Sequence, residues 1–547
     1  MTAKEIMNDN IQIIKTYHEE TKHHYYKFAN ALGYMDWNSQ PDPFRRFIGA
    51  DLISLPLQQE DNTPLYEDIF TPEKIKPHSL NQETVAKFLE YSLTISAWKQ
   101  LGNVKWALRM NPSSGNLHPT EGYLILPEIE GINKLPGVYH YAPKEHGLEK
   151  RAEFSKELWS YLRAPGRAHE DIFLVGLTSI YWREAWKYGE RAFRYCQHDC
   201  GHAYMALNVA ARMLGWRIDL LPGIGDEKIA QLLGLNRDGE FKELEEERPE
   251  LLAVVTLNPK NAKMVTDIPN DFIQGVTSST WYGKANQLST DHHTWDIIDA
   301  AHQASLKPET EPSPFIVAPE FSDSTKYEQG FSAYQVIRKR RSAVDMDGET
   351  SITKEQFFQI LLRVSSSFPG VPWNPTVHLC LFVHRVQGIL PGLYMLIREK
   401  SMLEAFKACT HQDFEWKKPA ACPESLMLYC LREGDFIDVS KRLSCTQDIA
   451  GDGAFSLGMI AQFDASLNIN GAWFYKRLFW ETGMIGQLLY LEAEAIGISS
   501  TGIGCFFDDP VHETLGFRDT QFQSLYHFTM GGAVIDHRLT TLPAHEH

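Results

Sequence analysis

The sequence predicts an α+β protein built from two tandem copies of one unit. Three observations carry that reading. Placing residue n on residue n+282 brings Gly201 onto Gly483, Leu207 onto Leu489, Ala211 onto Ala493 and Gly215 onto Gly497. The same offset brings Asp226 onto Asp508 and Leu233-Gly234 onto Leu515-Gly516, with no gap from 201 to 234. Upstream, Pro119-Thr120 pairs with Pro375-Thr376, and Leu135-Pro136-Gly137 with Leu390-Pro391-Gly392. A period this long marks tandem domains rather than a solenoid of short stacked repeats. Long helical patterns also alternate with short apolar strands whose spacing suits antiparallel pairing, so helices should pack on a sheet.

Each element has its own signal. Tyr17–Tyr26 reads as helical, and the proline-punctuated Gln40–Phe44 as loop. Leu80–Leu101 has helical apolar spacing at Val85, Phe88, Leu89 and Leu93. Glu121–Pro127 reads as a strand, and Leu251–Leu257 as a buried one. Arg191–Gly215 reads as a long helix stopped by Gly215. Residues 258–330 resemble neither copy, and the prolines at 308, 312, 314 and 319 suggest a connection with a short helix near Trp295–Ala304. The second copy repeats the pattern, with helices at Tyr327–Arg341, Thr353–Val364 and Thr482–Gly497 and strands at His378–Val383 and His527–Val534. The expected division is residues 1–265, a connection at 266–326, and 327–547.

Composition excludes several classes. A formal net charge of −17 argues against nonspecific nucleic-acid binding, which needs a basic surface. The eight cysteines are scattered without a C-x-x-C pair, so reduced thiols and a cytoplasmic setting are expected. The N-terminus MTAKEIMNDNIQ lacks the apolar run of a signal peptide, and no stretch reaches the ~18 apolar residues of a membrane span. Cys196, His198, Cys200 and His202 make two i,i+4 pairs on opposite sides of a helix, so no metal site is expected from them.

Three segments carry candidate chemistry. Pro112-Ser113-Ser114-Gly115-Asn116 is a loop of small donors and acceptors that can approach a flat polar ligand, although a solvent-exposed turn uses the same residue types. Arg338-Lys339-Arg340-Arg341-Ser342 offers charge-assisted bonds to a phosphate; a solvated basic helix end would look alike. Gly497–Cys505 (GISSTGIGC) is a small-residue turn after a long helix, open to close backbone approach or merely a tight connection. Gly223-Ile224-Gly225 is a lone G-x-G, so a Rossmann dinucleotide site is unsupported.

In order and spacing these segments resemble the nitroreductase-like flavoprotein superfamily, and more narrowly its SagB-type, azoline oxidase-like branch in tandem-fused form. Lys187-Tyr188-Gly189-Glu190-Arg191, leading into Gly201-His202, is part of the resemblance. Members bind FMN at a dimer interface, so the resemblance implies an intrachain pseudo-dimer. The phosphate role falls on Arg340, Arg341, Ser342 and Arg538. The turn whose amides face flavin N5 falls on Ile503, Gly504 and Cys505, and the loop from the other half on Pro112, Ser113, Ser114 and Asn116. The further arginine often found two residues after the serine is Val344 here.

Each copy has lost one half-site. Phe368-Pro369-Gly370-Val371-Pro372 stands where the second copy would repeat the Pro-Ser-Ser-Gly-Asn loop, and Tyr66–Lys74 stands where the first would repeat Arg-Arg-Ser. One FMN per chain is therefore expected. Lys187 and Tyr188 resemble the lysine–tyrosine pair of azoline oxidases and are the candidate acid–base residues, or else simply a basic aromatic helix turn. Two activities follow from the resemblance. One is NAD(P)H-dependent reduction of nitro or quinone-like acceptors; the other is dehydrogenation of a small-molecule or peptide substrate with oxygen as final acceptor. The alternative is a flavin- or partner-binding scaffold without catalysis. Neither nucleic acid nor membrane is an expected partner.

Overall fold

A computed structural model of the chain describes residues 3–58, 60–162, 172–259, 265–311 and 329–545. In the first copy the used elements are helices α1 (Ala3–Glu20), α2 (Gln82–Glu90), α3 (Tyr181–Tyr188), α4 (Ala192–Met213) and α5 (Asp226–Leu233), followed in the stretch before the second copy by α6 (Asp296–Ala304). Its strands are β1 (Ile95–Leu101), β2 (Val104–Arg109), β3 (Thr120–Leu126), β4 (Gly137–Ala142), β5 (Gly147–Glu153), β6 (Ile172–Ser179), β7 (Arg217–Leu220) and β8 (Arg248–Thr256). The second copy contributes α7 (Ala333–Lys339), α8 (Lys354–Val364), α9 (Phe474–Ala495) and α10 (Asp508–Leu515). Its strands are β9 (Val377–Val383), β10 (Gly392–Leu396), β11 (Leu428–Glu433), β12 (Phe455–Gln462), β13 (Ser499–Ile503), β14 (Phe522–Gly531) and β15 (Thr540–Leu542).

The two main sheets have one topology. The first runs β5-β4-β3-β6-β8-β7 and the second β11-β10-β9-β12-β14-β13, every pair antiparallel. Edge additions extend only the first, where Leu52–Ser54 and Thr280–Trp281 pair with β5. Local chemistry sets the helix ends. Asn81 with Thr84, Ser332 with Gln335 and Thr353 with Gln356 form reciprocal capping boxes at α2, α7 and α8. Gly234 and Gly516 end the equivalent helices α5 and α10 in the left-handed conformation.

The long helices α4 and α9 pack against each other at the centre, and they cross at the two glycines the repeat aligns. A Cβ on Gly201 would lie 2.2 Å from the carbonyl oxygen of Trp480, and one on Gly483 would lie 2.1 Å from that of His198. His198 and Trp480 are themselves equivalent positions, so the crossing lies on the pseudo-twofold axis. Ion pairs repeat the symmetry. Arg194 bonds Asp508 at 2.9 Å, and its equivalent Lys476 bonds Asp226, the equivalent of Asp508, at 2.7 Å. All four side chains are buried.

Several elements differ from the sequence expectation. The expected helix 80–101 is α2 followed by strand β1, because Ser92 and Thr94 break the helix and Ile95–Leu101 pairs with β2 and β15. Helix α9 begins eight residues before Thr482. Strand β14 starts before His527 and ends at Gly531. Positions 327 and 328, the expected start of α7, lie outside the described residues, as do the prolines at 312, 314 and 319.

Over its described part, the expected connection 266–326 carries structure. Helix Asn270–Thr277 buries Phe272, Ile273 and Val276 in a satellite core of the first copy. Helix α6 is a counterpart of α1. The His23 amide, just after α1, donates to the Asp508 carboxylate at 3.0 Å and its carbonyl accepts from the Asp508 amide at 3.1 Å; Lys307, just after α6, does the same with Asp226 at 3.1 and 3.0 Å. Each copy's leading helix is thereby tied to the other copy's aspartate.

The crossing predicts the effect of adding one methyl group. Gly483→Ala and Gly201→Ala should each lower stability by about 1–3 kcal/mol, since the new Cβ meets backbone that only helix separation can relieve. Thermal melting checks this, and unchanged midpoints would show that the crossing tolerates spreading.

Candidate functional site

The loop Pro112–Asn116 leaves β2 and turns back through left-handed residues Gly115, Asn116 and His118. Asn116 Nδ2 donates to Ala107 O at 2.8 Å, and its Oδ1 contacts His118 Nε2 at 3.0 Å. Ser113 Oγ accepts from the His118 amide at 2.8 Å. The Ser114 amide and hydroxyl both donate to Asp199 Oδ1 at 3.0 Å, fastening the loop to α4. Asn116 is thus engaged in holding the loop's shape.

Arg340 reaches this loop from the second copy. Its Nε donates to Met110 O at 3.0 Å and a terminal nitrogen donates to Arg109 O at 2.8 Å, two positions upstream of Pro112. Arg341 donates to Arg338 O and Arg340 O at 2.8 and 2.6 Å. Burial and the neighbouring Arg340 push its guanidinium down to about 10. Lys99 on β1 of the first copy is also pushed down, by burial and by Arg341. Cations that shift one another, opposed by Glu494 at the arginines and by Asp536 at Lys99, suit an anion carrying two charges. Arg538 is exposed and paired with Asp536, which lies near Lys99 at the rim of the same cluster.

Ser342 bridges to Ser500 at the start of the turn strand, and its hydroxyl meets Tyr490 OH at 2.9 Å. Tyr490 OH also accepts from the Gly502 amide at 2.9 Å. Beyond, Ile503 is buried, and the Gly504 carbonyl accepts from Tyr195 OH at 3.2 Å and from Arg191 at 3.4 Å. Among the described residues, Asn111 Oδ1 beside the loop and Ser500 Oγ beside Ser342 are buried without a protein hydrogen-bond partner.

Lys187 and Tyr188 end α3 against the loop. A Cβ on Gly115 would lie 2.5 Å from Tyr188 OH and 3.2 Å from Lys187 Nζ. The Tyr188 ring packs on Tyr195 at 4.7 Å, edge to face. Loop and turn, from different copies, are therefore joined through two tyrosines. Tyr195 and Arg191 were not picked out as site residues, and Lys99 gives no motif signal.

The mirror cleft is closed. Gly370 in Phe368–Pro372 accepts from the Leu220 amide at 2.8 Å and from Tyr204 OH at 3.1 Å, and Pro369 O accepts from Asn208 at 3.0 Å. A Cβ on Gly370 would lie 2.0 Å from Ile218 O. Leu220 is the equivalent of Gly502, so this loop sits directly on the backbone that the other cleft leaves to Tyr490. Where Arg-Arg-Ser would recur, Tyr66 OH instead bonds buried Glu492 at 2.9 Å.

Comparison with known proteins agrees with this architecture. The Nitroreductase family matches residues 76–243 and 337–532, more than half of the chain and once in each copy. The chain belongs to the nitroreductase family. A curated relative named as a nitroreductase, MJ1384 of Methanocaldococcus jannaschii, is 29% identical over 125 residues, and the match spans 22% of this chain and 62% of that protein's length. A crystal structure from Anabaena variabilis, titled as a nitroreductase, shares 20% identity with a TM-score of 0.69, covering 95% of this chain and 99% of that one. One chain of the E. coli microcin synthetase McbBCD complex, solved with truncated pro-MccB17 bound, shares 18% identity over 47% of this chain and 97% of its own, with a TM-score of 0.26.

Two carboxyls lie behind the loop. Burial pushes Asp199 up to about 7, against the bonds from Ser113 and Ser114. Glu184 on α3 is fully buried and raised well above the carboxylate range by burial and by Asp199. Tyr188 is held well above its usual value by burial and by Glu184, so it stays a proton donor at neutral pH. Asp199 was legible in the repeat, since its equivalent is Glu481, which holds the second copy's chain at Thr376 and Val377. No described helix is long and apolar enough to cross a membrane.

Asp199 makes stability depend on pH. Its carboxyl is harder to ionise folded than unfolded, so the folded state holds more protons between about pH 4 and 7. Its contribution is complete below the unfolded value and is lost as pH rises through about 7. Asp199→Asn should remove one proton's worth of that downward slope, measured as urea midpoint against pH. Parallel profiles for variant and wild type would contradict the assignment.

Proposed function

We propose that the chain is an FMN-dependent oxidoreductase with one flavin per chain, held in the cleft between the Pro112–Asn116 loop and the Ile503–Cys505 turn. The reading rests on one observation: the two clefts related by the repeat are unequal, one closed by Gly370 and the other lined by cations and unpartnered polar atoms. Arg341 and Lys99, with Arg538 at the rim, would hold the phosphate. Arg340 ties the phosphate segment to the loop across the copies. Ser342 and Ser500 offer hydroxyls, and the backbone of 503–505 offers the close approach a flat ring needs. Bound flavin would supply two-electron hydride chemistry, while the protein supplies orientation and proton handling.

The position of Lys187 and Tyr188 favours dehydrogenation of a substrate, as in the SagB-type branch. Their ammonium and hydroxyl lie together at the loop edge, and Tyr188 keeps its proton. Removing hydride from a C–H bond next to nitrogen or sulfur requires a base for the accompanying proton; Tyr188 can pass that proton on while giving up its own toward Asp199, the carboxyl behind the loop that is raised only to about 7. Reduction of nitro or quinone-like acceptors by NAD(P)H takes up protons instead of releasing them, and solvent at an open cleft can supply them without a positioned base. Mixing the yellow protein with NADH, NADPH or a thiazoline-bearing peptide under nitrogen separates the two activities by which one bleaches the flavin.

Three measurements test the proposal. Purified protein should carry about one FMN per chain, counted by absorbance after denaturing release. Two per chain would contradict the closed mirror cleft, and a colourless protein that ignores added FMN would leave only a scaffold. Arg341→Ala should weaken FMN binding by about 1.5–3 kcal/mol, the usual loss for a charge-assisted contact. Lys187→Ala and Tyr188→Phe should keep the colour yet slow peptide-driven flavin reduction ~10²–10⁴-fold. Wild-type rates in both would remove the pair from the chemistry.

A further inference from the structure

At the turn lies a pair of cysteines whose thiols the flavin reading does not use; it draws only on the backbone of Cys505. Cys505 ends the turn, and Cys445 lies in the segment 443–447 that packs along 505–507. Two bonds fix that packing: the Phe507 amide donates to Leu443 O at 2.8 Å, and Gln447 Nε2 donates to Cys505 O at 3.1 Å. Below it, Ser444 Oγ meets His527 Nδ1 at 3.2 Å. Cys445 and Thr446 both hold left-handed backbone, with φ of +54 and +59. Few non-glycine residues adopt it, and here two in succession do so opposite Cys505.

The two thiols, brought side by side by that packing, shift each other in opposite directions. Cys505 is lowered, first by its contact with Cys445 and then, against burial, by Arg191. Cys445 is raised by the same contact and by burial. Both are part-exposed, whereas Cys196, Cys200, Cys380 and Cys430 are buried. A part-exposed thiol beside a guanidinium is the setting in which a cysteine becomes a nucleophile.

We propose that Cys445 and Cys505 form a redox-active dithiol that exchanges with small-molecule disulfides of the glutathione type. The Cys505 thiolate attacks one sulfur of the disulfide, forming a mixed disulfide and releasing one thiolate. Cys445, giving up its proton, attacks the Cys505 sulfur, closes the Cys445–Cys505 bond and releases the second thiolate. The cysteine pair loses two electrons and two protons, and the small molecule gains them as two thiols. The closed bond would tie segment 443–447 covalently to the turn. The proposal does not depend on flavin, and a failure of either reading leaves the other standing.

The test uses the full-length, flavin-free protein equilibrated in glutathione buffers from fully reduced to fully oxidised, then alkylated and mapped by mass spectrometry. Oxidation should protect Cys445 and Cys505 together and yield a peptide joining them, while Cys409 and Cys422 remain alkylated. In Cys445→Ser the resolving thiol is gone, so a glutathione adduct should accumulate on Cys505. In Cys505→Ser neither adduct nor cross-link should form, and thermal melting of the reduced variants confirms that both fold. If wild-type Cys445 and Cys505 stay alkylatable in the most oxidised buffer, or if Cys505 keeps glutathione with Cys445 present, the proposal is overturned.

Discussion

Everything in this molecule is spaced by the contact of two helices at Gly201 and Gly483. With no side chain at either position, the backbones of α4 and α9 come close enough that a single Cβ would overlap a carbonyl of the opposite helix. That approach brings each sheet's last strand and the turn before it within reach of the other copy's loop. It also brings Asp226 and Asp508 to cations of the opposite copy. Burial drives the Asp508 carboxyl up, but Arg191 and Arg194 hold it well below the usual carboxylate range. Such buried pairs add little net stability over well-packed apolar groups, yet losing one partner costs about 3–5 kcal/mol. Their role here is register, because each pair forms only when the two copies dock in one orientation.

On this symmetric frame the site is asymmetric, and charge balance accounts for the difference. Position 199 and its equivalent 481 are both acidic, and each anchors the segment that leads into its own sheet. Glu481 is paired with Arg398 as well as with Trp373 and Thr376. Asp199 has only the Ser113–Ser114 hydroxyls and an amide, with Glu184 beside it. One anchor is therefore charge-balanced by an arginine, and the other is a carboxyl raised to about 7 among groups that keep their protons. The same division separates the loops. Gly370 and Pro369 present carbonyls that satisfy the opposite backbone, whereas the serines and Asn116 fold back on their own copy and leave the cleft beyond them to other groups.

The fold was largely legible because the repeat is local and gapless where it matters. The glycine stops at 215 and 497, the strand starts near 120 and 377, and the Pro-Gly entries at 137 and 392 all follow from short-range chemistry. The errors have physical causes. The first eight residues of α9, Phe474–Glu481, are buried on nearly every side, so they show no polar face and no period. The spacing that marks α2 runs on into β1 because Leu93 and Ile95 are apolar for other reasons, Leu93 packing in the main core against Gly122 and Ile95 with Ala107 and Ala544 at the hairpin. Helix α6 escaped notice as a partner of α1 because their likeness lies in what they touch rather than in their residues. In the site, motifs revealed the loop, the arginines and the turn. Tyr195, Lys99, Glu184 and Asp199 act through tertiary position, and only Asp199 left a trace, as one of two aligned acids.

A homodimer with two identical clefts must keep both halves of the site in one sequence, so any change to loop or turn is made twice. A covalent tandem removes that restriction. Once the copies were separate stretches of chain, Phe368–Pro372 could exchange ligand-facing groups for carbonyls that close its cleft. Tyr66 and Arg363 could meet on Glu492, where the other copy presents Arg340 and Ser342. The closed cleft then serves as a rigid half of the interface, and its packing holds α4 and α9 in place for the open one. The loop that packs on the opposite backbone at Gly370 and the crossing at Gly201 and Gly483 belong to one interface, and from it the Pro112–Asn116 loop, the Ile503–Cys505 turn and the Lys187–Tyr188 pair take their positions.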